Sequence, residues 1–104
     1  MTPTVDFDLA RALAKECSRL DENELAKILT AFKQYHRQQA DGSLNKTRRL
    51  VDSILNQKTF VRSQKTRDYY EQIQMLLANK FGTDTEALVT LFWVQRLIKY
   101  EKQR

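Results

Sequence analysis

Two glycines and one proline stand in a chain of 104 residues. A β-sandwich or barrel needs turn residues every 8–12 positions, so this chain lacks the punctuation for many short strands. Long helices need little of it. The apolar share of 41% is enough for one modest core and too high for a disordered chain. The length suits one domain, with no room for a second independent core. The expected fold is therefore all-α, a single-domain compact bundle of about five helices over residues 1–104.

Apolar spacing locates the helices. Val5, Leu9, Leu13, Cys17 and Leu20 recur every three or four residues, which predicts a first helix over about residues 6–20. Asp6 and Asp8 fall in its first turn, where carboxylates complement the helix dipole. Asp21 and Glu24 form a capping-box pattern that opens a second helix. Leu25, Ile28, Leu29, Phe32 and Tyr35 or His36 give its stripe, and Asp41-Gly42-Ser43 is a turn that ends it near residue 40. A third helix over about 44–56 buries Leu44, Val51, Ile54 and Leu55, with Leu50 alongside. Residues 57–64 break the period and read as a loop that sets Phe60 or Val61 into the core and leaves Lys58 and Arg62 outside.

A fourth helix is expected over about 65–80, capped by Ser63 or Thr66, with Tyr70, Ile73, Leu76 or Leu77, and Phe81 inward. Gly82 is placed to end it in the left-handed conformation. Thr83 and Glu86 form a second capping box and open a fifth helix to about residue 102. That helix is apolar over much of its circumference, which marks a central helix or one covered on a second side. Val89, Trp93 and Tyr100 lie together on a further side and form the expected protein interface.

Composition also removes functions. One Cys and one His cannot supply the four ligands of a structural zinc site. Gly42 and Gly82 stand forty residues apart, so no glycine-rich phosphate loop exists. Cys17 lies on an apolar stripe and reads as a core residue, and His36 has no nearby catalytic partner. The acidic pairs Asp6/Asp8 and Glu22/Glu24 sit at helix starts, where capping explains them. No enzyme, metal site or cofactor is expected. No apolar run is long enough to cross a bilayer, and the N-terminus lacks a secretory pattern, so a soluble, cytoplasmic protein with no membrane partner is expected.

The formal net charge is +5, and its distribution is uneven. Residues 1–40 and 68–104 are each charge-balanced. Residues 41–67 hold Lys46, Arg48, Arg49, Lys58, Arg62, Lys65 and Arg67 against Asp41 and Asp52. A single-sign block suggests an anionic partner, most often nucleic acid, although a solvated surface is the plainer reading. Its basic residues are spread over a helix, a loop and a helix start. That pattern suits backbone tracking on RNA or single-stranded DNA better than base reading from one recognition helix. Tyr69, beside the block, is placed either to stack on a base or to pack on its own helix.

The helical composition, the size, the basic surface and the apolar-aromatic last segment at residues 86–100, with Leu91, Phe92, Trp93, Val94 and Tyr100, together resemble the small helical subunit of CRISPR effector complexes of the Cascade and Csm type. The likeness is one of layout and rests on no short motif. It implies a non-catalytic subunit, present in several copies, that contacts the guide–target duplex or the displaced strand while base pairing supplies specificity. Its partners would be nucleic acid, other subunits and further copies of itself. Two other readings stand beside it: a helical adaptor or inhibitor that meets an acidic protein surface through the same block with Phe60 and Val61, and a dimeric DNA-binding regulator that uses the third helix.

Overall fold

The computed structural model describes residues 7–57 and 64–102, and these form five α-helices with no strand among them. The helices are α1 (Phe7–Glu16), α2 (Glu22–Gln38), α3 (Ser43–Asn56), α4 (Gln64–Leu77) and α5 (Asp84–Lys102). The all-α bundle is thus as the apolar spacing predicts. Val5, Phe60 and Val61 lie outside the described residues, as do Lys58, Arg62 and Ser63.

The first helix is shorter than its stripe. Past Glu16 the chain tightens: the Leu20 N–H donates to the Cys17 carbonyl at 2.9 Å. Cys17 and Leu20 still reach the core, because one tight turn keeps the same side inward. Asp21 then caps α2 in an extended conformation, its Oδ1 accepting from the Asn23 N–H at 2.8 Å. The second half of the expected capping box is spent elsewhere. The Glu24 carboxylate accepts from the Tyr70 hydroxyl at 2.8 Å, 46 residues along the chain, and so ties α2 to α4.

Gly42 makes the α2–α3 turn at φ 91°, in the left-handed region that suits glycine. Its N–H donates to Asp84 Oδ2 at 2.7 Å, which anchors the turn on the first residue of α5. Gly82 does not take the role expected of it: Gly42 is the only glycine with positive φ among the described residues. Helix α4 stops at Leu77, because side chains take up its last carbonyls. Asn79 Nδ2 donates to the Met75 and Leu76 oxygens, each at 3.1 Å, and Arg48 Nε donates to the Leu77 oxygen at 2.8 Å. Thr66 lies within the first turn of α4 rather than before it. Thr83 caps α5, its Oγ1 accepting from the Glu86 N–H at 3.1 Å.

Helix α5 is the centre of the bundle and packs on α1, α2 and α3, while α3 packs on α2 and α4. Phe7 meets Trp93 at one end, and Arg11 and Lys15 line one depression with Tyr100 and Glu101 further on, so α1 and α5 run parallel. At the far end, Lys102 Nζ donates to the Leu20 carbonyl at 2.7 Å and pairs with Glu22 at 2.8 Å, while His36 meets Thr85 at the near end, so α2 runs antiparallel to α5. The Lys102 ammonium draws the Glu22 carboxyl below its usual range.

The core holds Leu13, Leu20, Leu25, Ile28, Leu29, Phe32, Val51, Tyr70, Ile73, Leu76, Leu77, Leu91, Val94 and Ile98. Ile54, Leu55, Leu50 and Phe81 pack against it half-buried. Ser43 and Thr47 share the buried face of α3 with Leu44 and Val51. Their hydroxyls are satisfied by the carbonyls of Ala40 and Ser43 at 2.7 and 2.9 Å, so their burial carries no orphaned hydroxyl.

Tyr70 is 3% exposed, and burial together with the Glu24 carboxylate pushes its hydroxyl up to about 12. The fold therefore favours neutral Tyr70. This contribution is complete below about pH 10, where the unfolded phenol begins to ionise, and is lost as pH rises through about 12. The stability advantage of wild type over Tyr70→Phe is expected to shrink across that window, as measured by urea unfolding at stepped pH.

A candidate nucleic-acid interface on helix α3

Helical geometry separates the basic residues that sequence places together. Lys46 and Arg49 are one turn apart on the solvent face of α3, and both are exposed. With Gln39, Asp41, Gly42 and Asn45 they line a shallow depression of about 240 Å³ at the α2–α3 turn. Lys46 Nζ lies over the Tyr35 ring, 5.5 Å from its centroid, which holds the ammonium at the surface. The first turn of α3 contains no acidic residue and Gly42 supplies no side-chain cap; the Asp84 carboxylate takes the Gly42 N–H at that helix start.

Arg48 is half-buried and points toward α4. Its Nε serves the Leu77 carbonyl, and its Nη1 donates to Asn45 Oδ1 at 3.1 Å. Arg67 crosses the α3–α4 groove, with Nη1 3.5 Å from the Leu55 oxygen and Nε 3.4 Å from Glu71. Around Arg67, a depression of about 390 Å³ is also lined by Asp52, Asn56, Glu71 and Gln74. Lys65 is exposed, but two residues from Arg67 on a helix it faces roughly the opposite way. Lys58 and Arg62 lie outside the described residues. Of the seven basic residues of the block, the structure brings Lys46 and Arg49 onto one surface; Arg48 and Arg67 serve as ties between α3 and α4.

Arg48→Ala removes the side-chain partner of the last α4 carbonyl. It is expected to cost about 1.5–3 kcal/mol of stability, as one hydrogen bond to a charged donor does. Thermal unfolding of Arg48→Ala beside Arg49→Ala checks this, and Arg49→Ala should change stability little.

The side chains of Cys17, His36 and Tyr70 are taken up by the packing of the bundle. Burial, with Glu16 beside it, pushes the Cys17 thiol up, the reverse of what activates a nucleophile. His36 is half-buried, and its Nε2 shares a hydrogen bond with Thr85 Oγ1 at 2.8 Å. Tyr70 faces the core and Tyr69 its edge. Among the described residues, no three His, Cys, Asp or Glu side chains gather where they could hold a metal ion.

The expected interface on α5 is one stripe. Val89 and Trp93 are half-buried, and Tyr100 is 59% exposed. Trp93 is held by the Phe7 ring, edge-on at 5.2 Å, and by the Arg96 guanidinium, 5.5 Å from its centroid. Sequence reading did not single out Arg11 and Lys15, which flank this stripe from α1; their four-residue spacing was the available signal, but a charge-balanced segment gave no reason to weigh it. Helices long and apolar enough to cross a membrane are absent among the described residues.

The fold and these surfaces define a class, an all-α bundle with a two-residue cationic patch and an aromatic stripe on a separate helix. No protein-family model, curated protein or solved structure matches the chain.

Proposed function

We propose that the chain is a non-catalytic subunit that holds a nucleic-acid backbone against the outer face of α3, within a larger ribonucleoprotein assembly. The observation that carries this reading is the pairing of Lys46 and Arg49 on one exposed face of α3. Two cations about one helical turn apart match the spacing of successive phosphates closely enough to follow a strand. Neither forms an ion pair among the described residues, so both charges are available. Asp41 borders the depression, and Asp52, one turn on from Arg49, is hydrogen-bonded by Gln74 of α4.

Gln39 and Asn45 line the same depression and are of the types that meet base edges, but the Asn45 Oδ1 is taken by Arg48, which supports backbone contact over sequence reading. The likeness of layout to CRISPR small subunits supports the assembly part of the proposal, with guide pairing supplying specificity there. Fluorescence anisotropy on single-stranded RNA, single-stranded DNA and duplex, each in several base sequences, tests it. Within each class of nucleic acid, affinities should differ by less than about tenfold among sequences. Binding confined to one duplex sequence would instead favour a site-specific regulator, and no binding to any of them an adaptor for acidic protein.

A further inference from the structure

The groove between α1 and α5 is apolar at its floor and cationic at its rim. Two depressions flank the Val89–Tyr100 stripe, one between α1 and α5 and one on α5 alone. One, of about 210 Å³, is lined by Ala14, Leu97 and Tyr100 with Arg11 and Lys15 at its edge, and Glu101 is its acidic member. The other, of about 170 Å³, is lined by Val89, Phe92, Trp93 and Arg96. Ala14 contributes only a methyl group, and the small side chain leaves the slot open beside Leu97. Phe7 and Tyr100 are 48% and 59% exposed, large for such residues. From Val89 to Tyr100 the stripe is about 16 Å long, the length of three turns of a second helix.

We infer that this groove docks an acidic amphipathic helix of a partner protein, aliphatic side chains in the two depressions and carboxylates against Arg11, Lys15 and Arg96. Charge complementarity names the partner: three cations rim the groove, and Glu101 is the acid that lines it. Aromatic and Arg side chains around a small apolar slot are what dominate the energy of protein interfaces. A parallel helix pair presents the groove into which an amphipathic helix lays its apolar face. Stacked nucleobases fit it less well, because the Trp93 ring is already engaged by Phe7 and Arg96. The inference deepens the assembly half of the proposed function, since it names the chemistry of a neighbouring subunit.

Trp93 is the only tryptophan, so its emission reports occupancy of the groove directly. The probe is a synthetic helical peptide of about 18 residues, with leucines at i, i+4, i+7 and i+11 and glutamates flanking them. A second peptide carries lysine for each glutamate. The full chain should bind the acidic peptide saturably, one to one, with a change in Trp93 emission, and the lysine peptide at least about tenfold more weakly. Arg11→Glu with Lys15→Glu, both exposed, should keep the helical spectrum and weaken the acidic peptide by about tenfold or more. Lys46→Glu with Arg49→Glu should leave peptide binding unchanged even where it removes nucleic acid, which separates the two proposals. No binding of the acidic peptide, equal binding of both peptides, loss through the α3 variant, or displacement of the peptide by single-stranded RNA from Trp93 would each overturn the inference.

Discussion

Phe32→Ala is expected to leave much of the population unfolded at 37 °C, whereas Trp93→Ala should stay folded. Phe32 is 0% exposed, on the inward face of α2. Removing a buried phenyl ring costs about 3–5 kcal/mol, through lost transfer energy and the cavity left behind. A domain of this length has about 5–15 kcal/mol in all, so that loss takes a large share of it. Trp93 is half-buried, with its ring shared between Phe7 and Arg96, and its truncation should cost about 1–2 kcal/mol. Denaturant unfolding followed by circular dichroism measures both. A Trp93→Ala loss equal to that of Phe32→Ala would make Trp93 a core residue and remove it from any interface.

The contrast between these two residues shows what periodicity makes legible. Leu25, Ile28, Leu29 and Phe32 recur at the helical period, and all four are buried. The apolar circumference of α5 left two readings open, a central helix or one covered on a second side, and the packing of α1, α2 and α3 around it gives the first. The ends of helices were less so. Asn79 and Arg48 close α4 through side chains, one of them 29 residues away, and no local pattern announces that Gly82 is not needed there. Thr47 is buried because a carbonyl one turn back satisfies its hydroxyl, a fact invisible to a count of apolar residues.

The candidate site was legible as an excess of charge and illegible as a surface. Residues 41–67 carry the whole net charge, yet side chains at successive helix positions diverge by about 100°. Arg48 and Arg49 are neighbours in sequence; Arg48 is drawn to the α4 terminus, and Arg49 remains in solvent with Lys46. Asp52 and Glu71 meet the rest of the block in space, brought there by the α3–α4 packing.

The second large effect follows from this sorting. Lys46→Glu with Arg49→Glu should weaken nucleic-acid binding by about a hundredfold or more, because each reversal removes a counterion-releasing contact and adds a repulsion. Stability should change by less than about 1 kcal/mol, since exposed charges contribute little to it. The matched pair Lys27→Glu with Lys33→Glu, exposed on α2, should bind nearly as wild type does. Arg48 and Arg67 variants should act the other way, with more effect on unfolding than on binding.

The central claim is that Lys46 and Arg49 contact phosphates. It is tested most directly by the salt dependence of binding to single-stranded RNA, plotted as log K against log salt for wild type and for Lys46→Ala with Arg49→Ala. Two lost phosphate contacts should make the slope shallower by about 1.4, at about 0.7 for each contact on a single strand. A double variant with the wild-type slope and wild-type affinity would contradict the claim.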